Sequence, residues 1–255
     1  MTDNQEKLAT LLKHDDFPLS SKYDPQWVIK NEMGPNVLWL TESLCQVMDL
    51  KPGMCVLDMG CGRAMSSIFL AREFGLHVWA TDLWIKPTDN WQRICQAGVQ
   101  DRVFPIYAEA RSLPFADEFF DAVISLDSYH YYGTDVHYLE FHMLKLLKGG
   151  GQIGIVVPAS PQDMPHPLPD HLDDEWYWVN SVDWWRHQWQ RYPELNVERA
   201  DALPGGWQLW VRWREFLEAA GGGTRPEENA DELAQLRKDG ARYLGFARLV
   251  GRRKG

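Results

Sequence analysis

Cysteine is scarce in this chain. Four residues, Cys45, Cys55, Cys61 and Cys95, show no C-x-x-C spacing, and no histidine stands at ligand spacing from them. That excludes a disulfide-stapled scaffold, gives no metal site, and leaves reduced structural thiols as the expectation. No apolar run approaches the roughly 20 residues of a membrane-crossing helix, and the opening stretch lacks the pattern of a signal peptide. A cytoplasmic location without membrane partners is therefore expected. Basic residues are in deficit: 26 Lys and Arg face 36 Asp and Glu, a net charge of −10. An acidic balance opposes nucleic-acid phosphates and anionic lipid. The run Arg252-Arg253-Lys254 reads as a solvated tail. Internal repeats are absent. The 255 residues suffice for one elaborated α/β domain with a substantial core.

The most informative segment is Val56-Leu57-Asp58-Met59-Gly60-Cys61-Gly62, an apolar strand that ends in an acid and turns through two glycines. Glycine lets a backbone approach a ligand closely and reach positive φ. A helix expected over 64–74 adds unpaired N–H groups and a positive dipole end. Together they form a slot for a polar small molecule at the C-terminal edge of a parallel sheet. The dinucleotide fingerprint wants a third Gly or Ala three residues after the second glycine. Met65 stands there, which opposes a nicotinamide or flavin oxidoreductase.

Further stations follow in order. Leu76 to Asp82 reads as a second strand ending in an acid, and a carboxylate about 20 residues past the glycines is placed to accept ribose hydroxyls. Val103 to Tyr107 is a third strand, leading into Ala108-Glu109-Ala110-Arg111-Ser112-Leu113-Pro114-Phe115. A fourth covers Phe120 to Leu126, and Leu147-Lys148-Gly149-Gly150-Gly151 turns into a fifth.

The form Asp58-x-Gly60-x-Gly62 resembles motif I of the class I S-adenosyl-L-methionine-dependent methyltransferases, in their small-molecule branch. The segment from Ala108 resembles the family's Gly-Asp-Ala-x-x-Leu-Pro-Phe, with Glu109 for Asp, and Leu147 to Gly151 resembles its Leu-Lys-Pro-Gly-Gly, with Gly149 for Pro. The resemblance covers roughly Lys51 to Val157. It implies S-adenosyl-L-methionine as cofactor and S-adenosyl-L-homocysteine as product. It places Asp58, Gly60, Gly62, Asp82, Leu83, Glu109 and Ala110 around the cofactor. Asp127 is expected at the cofactor's amino group or in a turn, and Tyr23 either closes over the cofactor or simply packs.

The implied fold is a doubly wound, mostly parallel seven-stranded α/β sheet of the Rossmann-like methyltransferase type, its last strand antiparallel beside the fifth. It carries an N-terminal helical cap and a Trp-rich helical insertion. Residues 1–50 form the cap, with helices over 4–13 and 36–48. Residues 51–157 form the cofactor-binding core, with helices near 64–74, 88–97 and 135–147. Residues 158–194 form a Pro/Trp-rich lid or substrate insertion, with a helix from Ser181 to about Tyr192. Residues 195–255 complete the core, with a strand over 195–200, helices over 207–219 and 226–238, and a strand over 243–251. Eight of the 13 tryptophans lie between 176 and 213. They read either as core or as a lid in which Trp176 and Trp178 cover an apolar or amine-bearing acceptor.

In this family the acceptor lies past the ends of strands four and five. The sequence there is Ser125-Leu126-Asp127-Ser128-Tyr129-His130-Tyr131-Tyr132. His130 is the candidate base, because histidine titrates near neutral pH. Tyr129, Tyr131 and Tyr132 are candidate pocket walls. The expected activity is methyl transfer to a small molecule. The alternatives are a non-catalytic sensor or partner protein that binds the same cofactor, and a lipid modifier of the cyclopropane-synthase type. Nothing in the sequence fixes an oligomeric state.

Overall fold

The structure, a computed structural model, describes residues 3–255. Its strands are β1 Cys55–Met59, β2 His77–Asp82, β3 Val103–Tyr107, β4 Phe120–Leu126, β5 Leu147–Ala159, β6 Leu195–Ala202 and β7 Gly245–Arg253. They form one sheet in the order β3-β2-β1-β4-β5-β7-β6. Strands β1 to β5 pair in parallel, and β7 runs antiparallel between β5 and β6. Central strands are buried on both faces and so read as apolar runs: Val56, Leu57, Val123 and Ile124 are inaccessible to solvent. Strand order reverses beside β1, between β2 and β4, where an open α/β sheet places its ligand crevice.

Among the described residues eight α-helices cover the sheet and its C-terminal edge: α1 Asp3–Leu12, α2 Pro25–Asn31, α3 Val37–Cys45, α4 Met65–Phe74, α5 Pro87–Ala97, α6 Val182–Gln190, α7 Gly206–Ala219 and α8 Pro226–Asp239. Several start where a side-chain oxygen replaces the missing backbone acceptor. Asp24 accepts from the Trp27 N–H at 2.9 Å, Asn36 from Leu38 at 3.1 Å and Ser181 from Trp184 at 3.1 Å. The cap helices are tied down from afar. Glu42 is buried and accepts from the N–H groups of Leu19 and Ser20 at 3.0 and 2.7 Å, while Arg212 on α7 donates to the Leu11 carbonyl at 2.8 Å.

One expected helix takes another form. Over 135–147 the chain makes a five-residue π turn, Leu139–Met143, and then a 3-10 turn, Leu144–Leu146. The buried residues there include Tyr138 with Met143 and Leu139 with Leu144. Each pair is five apart, which suits an i to i+5 winding better than an α-helix. The tryptophan-rich stretch divides. Trp185, Trp189 and Trp213 are at most 1% exposed, and Tyr129 packs on Trp185 and Trp189 with ring centroids 5.8 and 6.0 Å away. Trp178 is 42% exposed. Among the described residues no helix is long and apolar enough to cross a membrane.

Candidate functional site

The β1–α4 turn is built for close backbone approach. Gly60 and Gly62 stand at φ +75° and +53°, and Ala64 at +60° starts α4 in the left-handed region. The N–H groups of Gly60 and Cys61 donate to the Thr81 carbonyl at 2.9 and 3.0 Å, so the turn is pinned to the end of β2. A Cβ on Gly60 would lie 1.8 Å from Ser128 Oγ, and one on Gly62 would lie 3.0 Å from Met33 Sδ. Asn90 on α5 donates to the Gly62 carbonyl at 2.9 Å, and Arg63 donates to the carbonyls of Lys30 and Glu32 at 3.1 and 3.0 Å. The loop after α2 is thereby strapped across the glycine turn.

Two acids hold this turn. Asp58 is buried; its Oδ2 accepts from the Ser66 and Ser67 hydroxyls at 2.6 Å each and anchors the first turn of α4 to β1. Burial pushes its carboxyl up to about 6, against the lowering effect of those two hydroxyls, and its Oδ1 has no partner. Asp82 closes β2. Its Oδ2 accepts from the Gly62 N–H at 2.8 Å, and its Oδ1 from the N–H groups of Trp84 and Ile85 at 2.7 and 2.8 Å.

A cavity of about 340 Å³ opens over this turn. The glycine turn, Asp82, Leu83 and Trp84 form one side, with Ala108 to Arg111 beside them. Leu126, Asp127, Ser128, Tyr131 and Tyr132 form the floor, and Met33 to Val37 with Trp213 form the roof. Asp127 stands at φ +50°, and a Cβ on Gly34 would lie 2.6 Å from its Oδ2. Burial pushes the Asp127 carboxyl up to about 8; Glu232 raises it further and Arg214 opposes this. Asn36 also lines the cavity, and its amide nitrogen has no partner. Trp213 is held over the site by its indole N–H, which donates to the Gly34 carbonyl at 2.7 Å.

The structure thus gathers Gly60, Gly62, Asp82, Leu83, Glu109, Ala110, Asp127, Tyr131 and Tyr132 around one cavity, with Asp58 directly beneath the turn. It places five sequence candidates elsewhere. Tyr23 packs on Phe69 and Trp27, and its hydroxyl donates to Glu73 at 3.4 Å, so it does not close over this cavity. Tyr129 is 1% exposed among aromatic core residues. Trp176 stacks edge-on to Trp210 and donates to Gln235 at 2.7 Å, because the insertion folds back on α7 and α8. His130 lies behind the floor, stacked on Trp178 at 4.4 Å, with Nδ1 unpartnered and burial pulling its pKa down to about 4. Trp178 itself covers His130, not the cavity. Missed by sequence reasoning were Met33, Gly34, Asn36, Trp84, Ser128 and Trp213. Only the Gly34-Pro35 turn and the capping Asn36 carried a local signal.

Residues 56–151 match the protein family described as a methyltransferase domain. The chain carries a methyltransferase domain. Its matched residues run from β1 into β5 and include the whole glycine turn. The 27-O-demethylrifamycin SV methyltransferase of Amycolatopsis mediterranei is 31% identical to the domain over 117 residues, which is 46% of this chain and 43% of that one. The chain spans less than two thirds of the length of the curated relatives it matches first. In structure it resembles the cyclase SpnF (TM-score 0.69, 19% identity, 85% of this chain and 81% of that one). It also resembles the geranyl diphosphate C-methyltransferase from Streptomyces coelicolor A3(2) (TM-score 0.67, 17% identity, 99% and 98%).

S-adenosyl-L-methionine is the cofactor of this domain, and the residues present fit it. The glycine turn is a cradle that a Cβ at Gly60 would fill, Asp82 keeps acceptor capacity at the cavity wall, and Leu83 offers an exposed apolar face beside it.

Proposed function

We propose that this protein methylates a small-molecule acceptor bearing an amine, with S-adenosyl-L-methionine as the donor. The observation that carries this reading is the convergence of the glycine turn, Asp82 and the Ala108–Arg111 segment on one cavity whose far side holds the unpaired Asp127. The bound cofactor supplies a methyl carbon already activated by its sulfonium. The chain has to hold the accepting atom about 3–3.5 Å away and aligned, and to exclude water. Met33, Gly34 and Trp213 roof the cavity for that purpose. Asp127 is assigned to the acceptor because Ser128 faces Gly60, whereas Asp127 faces Gly34 and the charges of Glu232 and Arg214. Burial alone keeps the Asp127 carboxyl protonated near neutral pH; an ammonium placed beside it favours the ionised carboxylate, which can then hold that charge and accept the amine's proton. In this reading Asp127 takes the role that the sequence offered to His130.

The cofactor half is tested by melting. Ligand at 100 times its dissociation constant stabilises by about 2.7 kcal/mol. S-adenosyl-L-methionine and S-adenosyl-L-homocysteine should each raise Tm, and NAD should not; no shift with either sulfur compound sinks the reading. The fold alone does not compel methyl transfer, because SpnF, which shares it, is described as a cyclase. Release of S-adenosyl-L-homocysteine in an acceptor screen separates an enzyme from a non-catalytic binder.

Asp127 has a signature in the free protein. Its folded pKa of about 8 lies far above the ordinary carboxylate value of about 3.9. Between those values the folded chain holds a proton that the unfolded chain has lost. Stability should therefore fall as pH rises from about 4 to about 8. Asp58 adds a fall of the same sign below about pH 6. Asp127→Asn should remove the part above pH 6, as read by urea titration across this range, and should lower turnover of amine acceptors.

A further inference from the structure

The cavity is near the lower end of the 300–1,000 Å³ that holds one drug-sized ligand, and the cofactor is itself such a ligand. An acceptor of any size must therefore extend beyond its mouth. Two residues of the cavity wall continue outward there. Trp84 and Tyr131 are 66% and 63% exposed, the most exposed large apolar side chains among the described residues. Their rings meet edge to face at 5.5 Å. Behind Tyr131 the row continues through His130, 4.2 Å away, to Trp178, whose ring lies 4.4 Å from the imidazole and within 17° of parallel. Backing fixes both ends. Asp82 holds the Trp84 N–H, and the 3-10 turn Asp174–Trp178 brings Trp178 against His130. Single exposed apolar residues are ordinary, but a connected aromatic row continuous with a ligand cavity is not.

We infer that the Trp84–Tyr131–His130–Trp178 row is an acceptor subsite, taking a planar apolar or aromatic body whose amine reaches inward to Asp127. The inference rests on the methyl-transfer reading of the same cavity. Aromatic faces stack on flat rings in offset or edge-on geometry. Of the row, only Trp84 and Tyr131 touch the cavity; Trp178 and His130 set the plane of Tyr131 from behind. Preference for a flat acceptor body is thus placed in the β2–α5 loop and the turn after β4, with the 158–194 segment backing them, outside the β1–α4 turn.

The test uses the full chain at saturating S-adenosyl-L-homocysteine, titrated calorimetrically with 2-naphthylmethylamine and with ethanolamine. The naphthyl amine should bind at least tenfold more tightly. Trp84→Ala should remove most of that preference, and Trp178→Ala, which alters no cavity wall, should weaken it severalfold. Equal affinity for the two amines in the wild type, or a preference untouched by both substitutions, overturns the assignment. So does a concentration-dependent dimer abolished by Trp84→Ala, which would give the row to a second copy of the chain. Failure of S-adenosyl-L-homocysteine itself to bind is a different result; it removes the methyl-transfer reading.

Discussion

Gly60→Ala is expected to lose more than tenfold in affinity for S-adenosyl-L-homocysteine and about 2–5 kcal/mol of stability. Two independent effects add. At φ +75° a Cβ carries the left-handed penalty, about 1–2 kcal/mol. The same Cβ would lie 1.8 Å from Ser128 Oγ and 2.5 Å from Ser128 Cβ. The hydroxyl can rotate away, but the Ser128 Cβ cannot, and overpacking of this kind costs about 1–3 kcal/mol. Displacing Ser128 also disturbs the floor. Its hydroxyl lies 3.3 Å from that of Tyr132, which lies 2.9 Å from the Ser125 hydroxyl and donates to the Met59 carbonyl at 3.3 Å. Adding Ser128→Gly should recover the overlap part and leave the backbone part. Gly62→Ala should be milder, since its Cβ meets only the movable Sδ of Met33, at 3.0 Å. Urea titration and calorimetry on the three variants check the ranking. An alanine at 60 with wild-type melting and affinity would show that the turn does not approach its neighbours this closely.

These features differ in how far the sequence displays them. The glycine turn, Asp82 and the strand alternation are written locally: an acid and two glycines after an apolar strand need no distant partner to be recognised. The antiparallel last strand followed from the family resemblance, and Gly245–Arg253 does lie between β5 and β6. The cavity roof is another matter. Trp213 reaches Gly34 across 179 positions, and Arg212 holds α1 across about the same span. Neither contact leaves a periodic trace. Tyr23 misled because a tyrosine ahead of the core looks free to close over a ligand, whereas Glu73 and Phe69 on α4 had already captured it. The choice between Asp127 and His130 turned on backbone geometry. Asp127 adopts a positive φ, and the chain then winds into a 3-10 turn over Tyr129–Tyr131. That sends the aspartate into the cavity and the imidazole behind it, a detail invisible to residue type.

Asp82→Ala is expected to weaken cofactor binding by more than tenfold, as a lost ribose contact predicts, and also to destabilise the free protein. Three backbone N–H groups, of Gly62, Trp84 and Ile85, converge on this carboxylate at 2.7–2.8 Å. Hydrogen bonds to charged groups contribute about 1.5–3 kcal/mol each. Water entering the open cavity restores part, leaving a net loss of about 2–4 kcal/mol. The discriminating variant is Asp82→Asn. For a ribose contact alone, asparagine would be a mild change, since its amide can accept from one hydroxyl and donate to the other. Here both carboxylate oxygens already receive N–H donors, so whichever end carries the amide nitrogen turns a donor toward a donor. Asparagine should therefore be nearly as damaging as alanine, both to melting of the ligand-free chain and to affinity for S-adenosyl-L-homocysteine. A well-folded Asp82→Asn with only a modest affinity loss would reduce Asp82 to a ligand contact and detach the β2–α5 loop, with Trp84 on it, from the cofactor turn.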